Sequence, residues 1–199
     1  MSDTAEILPI VPAGASVLRQ VARRVEAAEL PGLAGLLEQM AATMRAAPGV
    51  GLAAPQVGLG LALAVIEDRA DYQARVPAER LLSMERTPVA LHCLVNPVLE
   101  PVASAGEIEL WEGCLSVPGY MGLVRRWRQV RVEAQDAAGA PVVIEARGWY
   151  ARILQHEIDH LGGALYLDRL TPRTLCEARL WAASWADRPV DEAKRALGA

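Results

Sequence analysis

The stretch "QHEIDHLGG" at residues 155–163 constrains this 199-residue chain more than any other segment. It carries two of the three histidines, four positions apart. Each residue of an α-helix turns by about 100°, so His156 and His160 fall roughly 40° apart on one face. Gly162 and Gly163 stand where helices favour a glycine stop. A helix over "WYARILQHEIDHL" (149–161) would thus present two imidazoles side by side. Trp149, Arg152 and Ile153 share that front, while Tyr150, Leu154, Ile158, Leu161 and Leu165 gather behind it as a core-facing back. His-Glu-x-x-His on a helix is a metal-binding pattern, with two imidazoles one turn apart and a carboxylate between them. Glu157 is displaced round the helix, within reach of a water at the cation and poorly placed to be a ligand. Accidental spacing is the alternative, and the helix facing and the glycine stop weigh against it.

Two imidazoles do not make a catalytic site, so a third donor has to come from elsewhere in the chain. No histidine follows within the next turns; Glu177 is the only early downstream glutamate candidate, read here as lying on a helix. His92 sits beside Cys93 in a strand-like run. Upstream, "EGCLSVPG" (112–119) places Cys114 in a tight segment at a strand end, and a thiolate is a good metal ligand. On the residues alone all three remain open. Cys93 and Cys176 read as inert buried thiols.

The rest of the chain reads as α+β. A helix is expected over 30–47, where Leu33, Leu36, Leu37, Met40 and Met44 recur at helical spacing. "GVGLAAPQVGLG" (49–60) is loop-like, and 61–67 is a buried strand. Residues 68–88 form a polar excursion with a short helix. Separate strands are expected at 90–97, 98–105 and 106–113. The run 128–148 alternates on both sides of Asp136–Gly139, a hairpin signal. Gly148 then releases the chain into the histidine helix, and "RTLCEARLWAASWA" after Pro172 reads as a C-terminal helix. Mainly antiparallel strands would pack around the central histidine helix, with an N-terminal and a C-terminal helix, as one domain over 1–199.

Composition excludes several function classes. The net charge of −4 leaves no electrostatic footprint for nucleic acid. The basic run "VRRWRQVRV" (124–132) reads as a solvated strand face. No apolar run approaches a membrane span. The acidic, proline-interrupted amino end has no pattern of a signal or transit peptide. Three cysteines at irregular spacing form no disulfide framework, so a reducing cytoplasm is the expected compartment.

Three segments together, "GVGLAAPQVG", "EGCLSVPG" and "QHEIDHLGG", resemble the motifs of peptide deformylases, in that family's order. The likeness extends over roughly residues 15–175 and is similar to the branch of organellar and some bacterial enzymes. It implies a metal-dependent hydrolase that removes the formyl group from the formyl-methionine of nascent polypeptides in a bacterial cytoplasm. Cys114 would then be the third ligand, with His156 and His160. The metal would be one divalent ion, Fe(II) in the cell, replaceable by Zn(II), Ni(II) or Co(II). Glu157 would move the proton, and the Gln56 amide and Leu115 backbone N–H would meet the oxyanion. Gly51 would pair with substrate backbone, and Val50, Leu110, Trp149 and Ile153 would hold the methionine side chain. Asp159 would steady a ligand or pair with Arg126, a solvent-facing side chain being the alternative. Partners would be the formylated peptides and, transiently, the ribosome. The segment "GYMGLV" (119–124) carries no charge where some relatives do, which leaves preference beyond methionine open. Two rivals remain: an HExxH metallopeptidase, which thiolate ligation disfavours, and a binding domain with a structural metal, which needs neither Glu157 nor Gln56.

Overall fold

The computed structural model describes residues 6–74 and 76–199. Residues 1–5 of the acidic amino end, and Arg75 in the 68–88 excursion, lie outside the described residues. The elements in order are α1 (Leu33–Ala46), β1 (Gly51–Ala53), β2 (Leu63–Asp68), α2 (Ala70–Gln73), α3 (Ala78–Ser83) and β3 (Val89–Pro101). They continue with β4 (Glu107–Cys114), β5 (Val117–Trp127), β6 (Gln129–Gln135), β7 (Pro141–Arg147), α4 (Gly148–Leu161), β8 (Cys176–Glu177), α5 (Ala178–Ser184) and α6 (Val190–Leu197). A five-stranded sheet runs β1-β2-β3-β6-β7, and a three-stranded one runs β4-β5-β8. The pairings of both are antiparallel. The fold is therefore α+β, with an N-terminal and a C-terminal helix. No described helix is long and apolar enough to cross a membrane.

Period-2 alternation divides the large sheet between two helices. Leu63, Val65 and Val95 point to the side where Met40 and Met44 of α1 pack. Ile66, Leu94, Val130 and Val132 point the other way, onto Ala151, Ile153 and Leu154 of α4. Helix α4 also contacts β5 of the small sheet, so it is enclosed by both. Its front is consequently as buried as its back: Arg152, Ile153, Glu157 and His160 are all buried. Burying one Leu154-sized side chain contributes about 1.5–3 kcal/mol, which makes α4 a fixed platform. Gly148 starts it at φ 55°, where a Cβ would stand 2.4 Å from the Glu85 Cβ and 2.5 Å from the Met84 carbonyl oxygen. The hairpin turn is closed by Asp136, whose Oδ1 accepts from the Ala138 and Ala140 N–H groups at 2.9 Å.

Several expectations need correction. The segment 49–60 is not simply a loop: Gly51–Ala53 form an edge strand paired with β2, and Ala54–Val57 a buried 3-10 turn. Residues 90–97 and 98–105 are not two strands. One strand, β3, carries a bulge between Val95 and Val98 and ends at Pro101. Asn96 sits there at φ 53°, and its side chain accepts from the Val25 N–H (2.8 Å) and donates to the Val25 carbonyl (2.9 Å). The excursion holds two short helices. After a 3-10 turn at Pro172–Thr174 the chain forms β8, so Glu177 lies on a strand, and α5 is followed by a further helix, α6. The basic run is solvated at Arg125, Arg128 and Arg131, and Arg126 alone departs from that reading, buried with Val124, Val130 and Val132. Cys93 and Cys176 are half-buried, not enclosed.

Asn96→Ala is expected to lower the unfolding free energy by roughly 1–3 kcal/mol for each Val25 group left unpaired. Asn96→Gly should cost less, because glycine adopts positive φ without strain. Urea denaturation of the two variants checks this; equal losses would remove backbone strain from the account.

Candidate active site

Helix α4 and the end of β4 bring Cys114, His156 and His160 together, with their donor atoms all within 4.8 Å of one another. The Cys114 Sγ lies 3.3 Å from the His160 Nε2. Donors at 2.0–2.3 Å from a tetrahedral ion stand roughly 3.3–3.6 Å apart, so the trio has the dimensions of a metal site. Its chemistry fits too: one thiolate and two imidazoles suit a divalent transition metal. The other two candidates for third donor lie elsewhere. His92 accepts or donates at 3.0 Å to the Tyr150 hydroxyl, and Glu177 pairs in register with Tyr120.

Glu112 organises the trio, and the sequence reading gave it no role. Its carboxylate accepts two bonds from Arg126, at 2.8 and 2.9 Å, and one from Arg152. It also lies 3.0 Å from the His156 Nδ1. A carboxylate at Nδ1 holds the proton there and leaves Nε2 to face Cys114. Burial would raise the Glu112 pKa, but Arg126, His156 and Arg152 outweigh it and hold the carboxyl well below the usual range. Arg126 also reaches Asp159 at 2.5 Å, and Arg169 binds the same carboxylate from outside. The Arg126–Asp159 pair expected from the sequence is therefore present. One signal for Glu112 was available: it stands two residues before Cys114 in the same conspicuous segment, although a register shift between the two breaks the simple alternation of β4.

Glu157 lies wholly inside, and burial pushes its carboxyl up to about 7. Its Oε2 and the His160 Nδ1 have no hydrogen-bond partner among the described residues. Gly51 of β1 faces it so closely that a Cβ there would stand 2.2 Å from the Glu157 Oε1 and 2.7 Å from its Cγ. The strand can approach α4 only because this residue has no side chain. Gln56 is anchored by the Ala53 N–H, which donates to its Oε1 at 2.8 Å. Its Nε2 is 3.5 Å from both the Cys114 Sγ and the Ser116 Oγ. Those contacts are long, which leaves the amide hydrogens free for a better acceptor.

These groups open on a cleft of about 570 Å³ lined by Val50, Gly51, Gln56, Cys114, Leu115, Trp149, Ile153, His156 and Glu157, among others. Trp111 of β4 lines the cleft, and Leu110 lies next to it on the same strand. Arg152 reaches from α4 to the carbonyls of Ile108 (2.7 Å) and Val124 (3.0 Å). Arg152 itself lines the cleft.

A buried thiolate–imidazole donor set, a carboxylate and an amide donor around one apolar cleft are the equipment of a hydrolase working on a carbonyl beside an apolar side chain. Residues 7–175 match the family model described as polypeptide deformylase. The chain is 47% identical over 192 residues to "Peptide deformylase 1" of Streptomyces coelicolor, covering 96% of this chain and 86% of that protein. It is 43% identical over 167 residues to "Peptide deformylase 1A, chloroplastic/mitochondrial" of Arabidopsis thaliana, covering 83% of this chain and 62% of that protein. Among solved structures, a class I type b peptide deformylase of Acinetobacter baumannii bound to Met-Ala-Ser superposes with TM-score 0.73 at 34% identity, over 83% of this chain and 99% of that one. The chain belongs to the polypeptide deformylase family, and is a hydrolase of that class.

Gly51→Ala is expected to displace the Glu157 carboxylate, because the new Cβ has no other way to be accommodated. A shift of about 1 Å at a reacting group costs on the order of 10²-fold in rate. Turnover should fall by about that factor with the fold retained by circular dichroism. Unchanged turnover would mean that β1 yields and not Glu157.

Proposed function

We propose that this chain removes the N-formyl group from the formyl-methionine that begins nascent polypeptides, releasing formate and a free amine. The observation that carries the reading is a Cys114, His156 and His160 trio beside an apolar cleft that Gln56, Cys114, His156 and Glu157 line, in a chain of this family. The Met-Ala-Ser held by the A. baumannii neighbour supports a peptide of that kind as ligand. The described residues act as one catalytic domain.

Cys114, His156 and His160 hold one divalent cation, ferrous iron in the cell, with zinc, nickel or cobalt as replacements. Bound there, such an ion would supply Lewis acidity toward the formyl carbonyl and toward a water. Glu157 takes the proton of the attacking water and returns it to the amine nitrogen as the C–N bond breaks. Its burial suits a group that must both accept and give a proton near neutrality. The Gln56 Nε2 and the Leu115 N–H donate to the oxygen that carries the developing negative charge. Gly51 lies on β1, at the edge of the large sheet, where an extended peptide can pair with its backbone. Val50, Trp149 and Ile153 hold the methionine side chain. Substrate arrives at the ribosome, through a transient contact.

Formate release from formyl-Met-Ala-Ser tests the reading against unformylated Met-Ala-Ser. Cleavage of the Met–Ala bond in the latter would make the chain a peptidase. Glu157→Ala should retain bound metal and fold and lose roughly 10²–10⁴-fold in kcat; near-normal kcat would remove it from proton transfer. The metal reading has its own check. Cys93 and Cys176 lie outside the donor trio, so Cys114 has no disulfide partner there and is open to sulfenic and sulfinic oxidation. Apoprotein reconstituted anaerobically with Fe(II) should lose activity in air, and the Ni(II) form should keep it. Equal, air-stable activity with Fe(II), Ni(II) and Zn(II) would sink the iron assignment.

A further inference from the structure

The family match ends at residue 175, yet the chain after it reaches the cleft. Strand β8 adds to the small sheet, with Cys176 opposite Met121 and Glu177 opposite Tyr120. Tyr120, Met121 and Ala178 then form one continuous edge of the cleft. Behind that edge, Trp181 and Trp185 of the α5 region and Val190, Ala193 and Leu197 of α6 pack with Trp111, Met121 and Leu123. Lys194 closes the arrangement with a 2.7 Å bond to Glu109 on β4, and the Arg173 guanidinium donates to the Gly198 carbonyl at 2.6 Å. Met121 in turn presses on Gly113, where a Cβ would stand 2.7 Å from its sulfur. The C-terminal segment is thus tied, through β5, to the strand that carries Cys114.

The chemistry of this edge is uniform. From Val117 to Met121 the side chains carry no charge, and Ala178 adds none. The flanking Glu177 and Arg179 are exposed and of opposite sign. Tyr120 is 46% exposed, so it has surface to offer a ligand. The Tyr120 carbonyl is held by the Tyr166 hydroxyl at 3.2 Å, and the Tyr166 ring stacks on His156. The edge is therefore fixed relative to the donor trio.

We infer that residues 176–199 form the outer wall of the substrate cleft and, through Tyr120, Met121 and Ala178, set a preference for an apolar side chain immediately after the methionine. This rests on the deformylase reading above. A leucine at that position would lay its side chain on the wall; aspartate or lysine would lose water there and gain no partner.

The test is a panel of formyl-Met-X-Ser peptides with X = Leu, Ala, Asp and Lys, assayed on the wild type, Ala178→Glu and Ala178→Lys. In the wild type, kcat/KM for Leu should exceed that for Asp and for Lys by about tenfold, the worth of a partly buried leucine. Ala178→Glu should shift the Lys-to-Asp ratio up, and Ala178→Lys should shift it down, each by about two- to fivefold. Opposite shifts report contact with the substrate, since structural damage would move both variants the same way. A flat wild-type profile, or shifts of the same sign, overturns the inference while deformylation stands. No turnover of any formylated peptide overturns the deformylase reading and this inference with it.

Discussion

A single carboxylate, Glu112, holds the site together. It stands on β4 and is bound by Arg126 of β5 and by Arg152 and His156 of α4. One side chain therefore joins the small sheet to the central helix and fixes the orientation of an imidazole. Taking these charges out of water is costly, and a buried ion pair adds little net stability over an apolar replacement. What it adds is geometry. Asp159, one turn along α4 from Gln155 and beside His160 in the chain, draws Arg126 from the other end. The positive charges of Arg126 and Arg152 are thereby matched by Glu112 and Asp159, and the helix cannot turn about its axis without leaving a charge unpaired.

The second constraint is steric. Glu157 has nowhere to go because β1 lies against it, and β1 lies there because Gly51 has no side chain. The edge strand and the helix thus fix the carboxylate between them, in surroundings that raise its pKa. Gln56 follows three residues after the end of β1 and is steered back by its own bond to Ala53. The three conspicuous segments of the sequence are far apart along the chain. They converge because β1 and β4 belong to different sheets and α4 packs against both sheets.

Much of this was legible in the residues. The spacing of His156 and His160, the glycine stop and the apolar back of the helix implied α4 within one residue of its bounds. The alternation around Asp136–Gly139 implied the β6–β7 hairpin. Other parts were not legible, for physical reasons. Asn96-Pro97 has the local chemistry of a turn, and only the distant Val25 backbone makes it a bulge inside one strand. Gly-rich 49–60 has the composition of a loop, and pairing with β2 makes part of it a strand. Cys176-Glu177 reads as helix by local propensity, and the open edge of β5 takes it as β8.

The sequence by itself determined the local elements and the chemical inventory: a helix with two imidazoles and a carboxylate, one cysteine in a strand-end segment, and an amide in a glycine-rich one. Periodicity and turn chemistry act over a few residues, so they are written in short stretches of chain. The tertiary structure alone decided which distant groups meet. It put Arg126 inside while Arg125, Arg128 and Arg131 stayed at the surface, brought Arg152 to the cleft, and gave Glu112 its central position. Those outcomes depend on long-range packing and on the pairing of buried charges, and no short stretch of sequence contains both partners.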